Sequence, residues 1–442
     1  MTRQTRRSMM LGGTVSTAVL LAGCGLGGSS AAPGSKVTAP ATVEFIECGP
    51  GAAEFYGGAP LTRFKAQFPH ITVNIQGLEC NITYLQKMVA SMVAGTPPDV
   101  WNIGQGTFTE YAFKGEALVL DQLLARDKWV DFADFEPSSM YLLDGKRQML
   151  PYDTGVSVLY YNADYWQRAG LPNPRQLWLD KKWDWDTFVD AARRLTVDEA
   201  GGRRYGLGLV SHAPWAGGVF LWQNGGDYAD WGKNVQTIDR PEATQAIQFQ
   251  IDLAQRHRVM PTPAAQAAEG PTFLNGRIAM EMGYSFSRAT YMRATGVKWD
   301  VAPLPRGKAG AAVHVARNGF GIASKSKQQE ASWLWLTHVT GKEVCAEATQ
   351  QGRVHPPRKS VANTDAFLRP TGVTADFRPF IESQPFGQFG APHEKRGDLA
   401  GILQKPVSDA FDGQISGQQL ANQLAPQIQQ LIVQGKGFPD KK

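Results

Sequence analysis

The histidines, cysteines and carboxylates of this 442-residue chain are the groups that could hold a metal, attack a carbonyl or move a proton. The histidines are His70, His212, His257, His314, His338, His355 and His393. No two are four apart, so no helical face offers the paired imidazoles of a zinc site, and no Cys-x-x-Cys is present. Asp184 and Asp186 flank Trp185 ahead of a helical pattern. That spacing suits a helix cap, whereas glycoside hydrolysis needs carboxyls on opposite sides of a substrate. Gly283-Tyr284-Ser285-Phe286-Ser287 lacks the last glycine of a nucleophile elbow. Gly206-Leu207-Gly208 lacks the third glycine of a dinucleotide turn, and there is no phosphate loop. The residues therefore predict no catalytic centre, no cofactor and no metal.

Composition narrows the class. Hydrophobic residues make up 43% and charged residues 19%, enough apolar material for large cores. Lys and Arg total 45 against 40 Asp and Glu, and the first 23 residues hold Arg3, Arg6 and Arg7 but no acid. Without that segment the charges almost balance, which argues against nucleic acid as a partner. No run approaches the ~20 apolar residues that span a bilayer.

The N-terminus reads as an export signal. Basic Arg3, Arg6 and Arg7 precede an apolar stretch from Met9 to Ala22. It ends in Leu21-Ala22-Gly23-Cys24, which resembles a bacterial lipobox. Residues 1–23 are then a lipoprotein signal peptide, Cys24 the acylated residue, and 24–41 a Gly/Ser/Ala/Pro-rich flexible tether. Thr5-Arg6-Arg7-Ser8-Met9-Met10 also resembles a twin-arginine signal, with Met9 in place of the usual Phe, so export by the Sec or the twin-arginine route stays open. Cys48 and Cys80 end two apolar runs. If those runs are neighbouring parallel strands, the thiols share one sheet edge and either bridge or stay buried and reduced. Cys345 falls in a helical pattern and reads as a small core residue.

The elements that must position any site alternate. Val43–Ile46 and Ile71–Ile75 read as strands, with Leu61, Phe64 and Phe68 marking a helix between them. Leu85, Met88, Val89, Met92 and Val93 mark the next helix, capped by Asn81 and ended by Gly95, and a strand follows from Asp99 to Ile103. Asn81-Ile82-Thr83 also matches a glycosylation sequon, read here as the cap. This β-α-β-α-β order predicts a parallel sheet with ligand loops beyond its carboxyl ends. Leu159–Tyr161 is a strand and Asn162 caps the helix after it. Thr187–Leu195 and Glu330–Val339 are helices. Ser416 and Gln419 form a capping box for a C-terminal helix that Pro426 should kink.

Several strings together resemble the extracellular solute-binding proteins of bacterial ABC importers, in the large sugar-binding group. They include Met92-Val93-Ala94-Gly95-Thr96-Pro97-Pro98-Asp99-Val100, Leu159-Tyr160-Tyr161-Asn162-Ala163-Asp164, Phe273-Leu274-Asn275-Gly276-Arg277-Ile278-Ala279-Met280 and Trp299-Asp300-Val301-Ala302-Pro303-Leu304-Pro305. The resemblance implies an α/β, two-lobed, type II periplasmic-binding-protein-like fold with a hinge and an interlobe cleft. Residues 42–153 plus 317–365 would form lobe I, and 154–316 plus 366–442 lobe II. Asp153–Val156 and Asn318–Ile322 would be the hinge. Lobe closure around solute would present a surface to membrane permease subunits driven by a cytoplasmic ATPase. The protein itself would be a monomer, lipid-anchored on the outer face of the cytoplasmic membrane.

Family position also implies solute contacts. Glu54 and Tyr56 come from the first loop, and Gln105 and Thr107 follow the third strand after Gly104. Asp153 and Thr154 lie at the cleft mouth, and His212, Trp215 and Asp227 follow. Tyr284, Ser285 and Phe286 come next, then Arg317 and Asn318, with Phe389 late in the chain beside Phe386. Aromatic platforms with planar donors and acceptors suit a sugar's C–H faces and hydroxyls. Trp183, Trp185, Trp222, Trp333 and Trp335 are assigned to packing. A single arginine against three acids, Glu54, Asp153 and Asp227, leans toward a neutral or amino-bearing sugar. Glycerol 3-phosphate or a glycerophosphodiester is the alternative solute. A secreted carbohydrate-active enzyme and a surface sensor are the alternative classes.

Overall fold

The computed structural model describes residues 37–435, apart from 50, 80–81, 104–107, 141, 209–213, 390–392 and 396. The signal segment, Cys24, most of the tether, Cys80, Asn81, Gln105, Thr107 and His212 lie outside the described residues. So does the side chain of Trp215, a residue of the helix Pro214–Gln223.

One eight-stranded sheet organises the chain. Strands β1 (Ala41–Cys48), β2 (Ile71–Leu78) and β3 (Val100–Ile103) are the short parallel strands read from the sequence. The run seen at Leu159–Tyr161 is the end of a 13-residue strand, β4 (Leu150–Asn162). Its first half is buried like its second, so no polar alternation marked where it starts. The remaining members are β5 (Met280–Tyr284), β6 (Trp299–Ala302), β7 (Val313–Ile322) and β8 (Gly387–Gln388). The strand order is β5-β4-β7-β3-β1-β2, with β6 on β4 and β8 on β7. β7 is antiparallel to both β3 and β4, which joins the parallel strands to the second half of the molecule.

Two bodies of apolar side chains flank this sheet. The first holds Val43, Phe45, Phe64, Val100, Phe320, Trp333 and Trp335, with Ile46, Trp101 and Ile103 on the opposite face. Alternate residues of β1 and β3 feed the two faces, as a period of two requires. The second body holds Val158, Tyr160, Trp183, Phe188, Phe220, Met280, Leu424 and Ile428. β4 runs from Leu150 in the first to Val156 in the second, and β7 returns from Val315 to Phe320. Among the described residues the chain passes over again between Val354 and Phe367, and Phe389 returns to the first body between Phe380 and Leu399. These are the two lobes.

Helix ends follow their local chemistry. Asn162 Oδ1 accepts from the Tyr165 N–H at 3.0 Å. Asp184 and Thr187 form a reciprocal capping box, as do Ser416 and Gln419, so Asp184 is spent on structure. The helix Gly417–Val433 continues through Pro426. Cys345 is a buried free thiol pushed up to about 12 by burial. Cys48 is disulfide-bonded, its partner outside the described residues. Among the described residues no helix is long and apolar enough to cross a membrane.

Candidate functional site

The two lobes meet where β4 and β7 pair. Asp153 stands opposite Asn318 and Gly155 opposite Ala316, and the register shifts between Asn318 and Gly319. The Asp153 carboxylate accepts from Asn318 Nδ2 at 2.8 Å through Oδ2 and from the His355 N–H at 2.8 Å through Oδ1. The Thr154 N–H in turn donates to the His355 carbonyl at 3.0 Å. One side chain thus ties β4, β7 and the stretch at His355 together. Burial raises its pKa to about 6, against the two hydrogen bonds and the charge of Arg288. Of the expected solute contacts, the Asp153 and Asn318 side chains are bonded to each other, and Asp153 is 3% exposed. Thr154 is also fully buried. Asp153→Ala strands two buried donors and is expected to cost about 2–4 kcal/mol. Asp153→Asn keeps the shape, and with the Asn318 amide turned so that its oxygen accepts from the new Nδ2 both bonds survive, so it should cost under about 1 kcal/mol; equal urea midpoints for the two variants would remove Asp153 from this role.

On the lobe II side an aromatic ledge rests on the same strand pair. Phe286 is 41% exposed, unusual for so large a ring. It lies flat on Tyr284, ring centroids 5.0 Å apart and planes within 5°. Gly155 makes the seat: a Cβ there would stand 2.8 Å from the Phe286 ring. Tyr284 OH is 2.8 Å from His314 Nδ1, and the His314 ring is stacked with Trp222 at 6.2 Å and with Phe389 at 6.5 Å. The Arg317 guanidinium lies 4.6 Å over Phe389 while its Nε donates to the Ser138 carbonyl. Trp222, assigned to packing from the sequence, lines a cavity with Gly225, Asp227, Arg240 and Gln388. Asp227 Oδ1 accepts from the Tyr228 N–H. Ser285 is buried and its Oγ accepts from the Val156 N–H at 3.0 Å, so it serves β4. Phe389 is buried at 3% exposure and reaches across to the lobe I cluster of Trp101 and Ile103.

On the lobe I side the carboxyl ends of β1 and β3 carry a polar group that the sequence reading missed. Tyr84 OH donates to the Asn102 carbonyl at 2.8 Å, and Asn102 Nδ2 donates to Tyr152 OH at 2.6 Å. Beside them Glu47 is 6% exposed, and among the described residues its buried Oε2 has no hydrogen-bond partner. Burial raises its pKa to about 8; Arg353 opposes that and Asp153 adds to it. The clue was available, since Val43, Phe45 and Glu47 share one face of β1 and an acid there must point where the apolar residues point. The other first-loop nominations part company. The segment is a helix, Ala52–Gly57, with Glu54 exposed and Tyr56 packed edge-on against Phe45 and Phe320 in the lobe I core.

Residues 52–344 match the family model of the bacterial extracellular solute-binding proteins. The chain belongs to that family. This solute-binding protein is 25% identical over 240 residues to an arabinooligosaccharide-binding protein of Halalkalibacterium halodurans, 52% of each chain. It superposes with a TM-score of 0.79 on an ABC substrate-binding protein of Listeria monocytogenes in complex with cycloalternan. That match is 20% identical and covers 90% of this chain and 100% of that one. UgpB of Mycobacterium tuberculosis, solved with glycerophosphocholine, follows at 0.75 and 22% identity, covering 89% and 98%. Both structures share the two-lobed fold.

Proposed function

We propose that this solute-binding protein is the capture component of an ABC importer and takes a carbohydrate, mono- or oligosaccharide or amino sugar, between its lobes. The observation that carries this reading is the Phe286–Tyr284 ledge, an exposed aromatic plane seated on the hinge strands and flanked by hydrogen-bonding groups. Such a plane suits the C–H face of a pyranose. The arabinooligosaccharide and the cycloalternan named for two of the relatives support it. The lobes would be 42–153 plus 317–365 and 154–316 plus 366–442. Solute bridging them would favour a closed form that permease subunits read. Cys24 would hold the protein by acyl chains on the outer face of the membrane. Glycerophosphodiester capture has the UgpB likeness in its favour, but the Arg317 guanidinium is already engaged by Phe389 and Ser138.

Titration calorimetry with neutral sugars, amino sugars and glycerophosphodiesters tests the reading; preference for the phosphodiesters would overturn it. Phe286→Ala is expected to weaken sugar binding by roughly 1–3 kcal/mol with an unchanged melting temperature. An unaltered dissociation constant would take Phe286 out of the site.

A further inference from the structure

Glu47 has no structural employment that accounts for it. It is an acid with 94% of its surface removed from solvent, on the core-facing side of β1, with an oxygen that no donor reaches among the described residues. Five groups bear on its charge: Tyr56, Tyr84, Tyr152, Asp153 and Arg353. They come from the helix Ala52–Gly57, the helix Ile82–Val93, β4 and the stretch after the helix Lys342–Gln350. Arg353 also lies 5.0 Å over the Phe55 ring. The Asn102 amide spends one of its hydrogens on Tyr152, and Tyr84 spends its own on the Asn102 carbonyl. Among the described residues the surroundings of Glu47 are thus rich in oxygen, and the cation beside it, Arg353, is shared with an aromatic face. A buried acid left without a donor costs stability, and a group that persists at such a cost marks a place where a ligand completes the bonding.

We propose that Glu47 receives a protonated amine of the solute, so that the carbohydrate taken by this protein is an amino sugar. The inference rests on the carbohydrate reading and specifies it. Before binding, the carboxyl carries its proton at neutral pH. When an ammonium group arrives, that proton leaves to solvent and the carboxylate accepts an N–H from the ammonium. Charge balances: one cation enters and one proton departs. A neutral sugar hydroxyl drives no such exchange.

The test is titration calorimetry of the full mature chain in pairs of buffers with different ionisation enthalpies. The probes are D-glucosamine, D-galactosamine and D-mannosamine against the parent hexoses and the N-acetyl forms. Binding of an amine is expected to release close to one proton at pH 6.5. Above pH 9 the sign should invert to proton uptake, because carboxylate and free amine must then gain a proton to form the same pair. Glu47→Gln should abolish the release at pH 6.5 and weaken the amine on the order of a hundredfold. The sign inversion needs only the wild type, so the inference stays testable if the variant folds poorly. Binding of hexoses or N-acetyl sugars without proton exchange, with the amines rejected, overturns the inference and leaves the carbohydrate reading standing. Binding of glycerophosphodiesters alone overturns both.

Discussion

Glu47→Gln is expected to stabilise the unliganded protein, and by more the higher the pH. The wild-type carboxyl holds its proton to about 8 in the folded chain, against an ordinary value of 4.5. Below pH 4.5 folded and unfolded chains are both protonated there, and the group costs nothing. As pH rises from 4.5 toward 8 the unfolded chain releases the proton and the folded one keeps it, so stability falls. The accumulated loss at pH 8 is roughly 3–5 kcal/mol. Glutamine cannot ionise, has nearly the same shape and loses no bond at the orphaned oxygen. Variant and wild type should therefore melt together near pH 4.5 and separate steadily up to pH 8. A melting-temperature difference that does not change with pH would show that Glu47 ionises freely. Asp153, raised to about 6, leaves a smaller slope of the same sign in both proteins at lower pH.

Arg288→Ala should be the most damaging single change at the junction of the lobes, costing about 3–5 kcal/mol. Arg288 starts the lobe II helix Arg288–Arg293 and is 1% exposed. Its Nη2 donates to the Thr349 carbonyl at 2.9 Å and the Val354 carbonyl at 2.7 Å, where the chain leaves lobe I for Phe367. The guanidinium lies 4.6 Å over Phe367 and 5.4 Å over Phe377. Burial lowers its pKa to about 10, so it remains charged at neutral pH. Alanine leaves a cavity and two buried carbonyls without donors. Arg288→Met fills the space and should cost about 1–3 kcal/mol, the hydrogen bonds alone. Denaturant midpoints measure both; an Arg288→Ala midpoint equal to that of the wild type would mean the segment is held elsewhere.

Much of the frame was legible because it is written in local periods and caps. The parallel β1, β2 and β3 showed in alternation and the helices between them in three- and four-residue spacing. Asn162, Asp184 and Ser416 announced helix starts through the side chains that cap them. The candidate site was less legible, because side-chain direction depends on features that no single string records. Glu54 and Tyr56 were read as one loop. A helix turns about 100° per residue, so two positions apart face nearly opposite ways, one outward and one into the core. Trp222 looked like packing because its helix is apolar nearly all round. Asp153 looked available because its two bonding partners lie at Asn318 and His355, far along the chain. Arg353 sits in irregular chain where no period points to it.

The interleaving of the sheet has one last outcome. β4 and β7 are neighbours in space but belong to opposite halves of the chain, and both supply side chains to the lobe II interior. A protease that nicks the exposed turn between Glu199 and Gly202 would divide the backbone without dividing the particle. Each fragment would keep a strand that the other needs as its partner. Halves made separately could then reassemble into one working receptor, and that rejoining could serve as the signal of a split reporter for the solute.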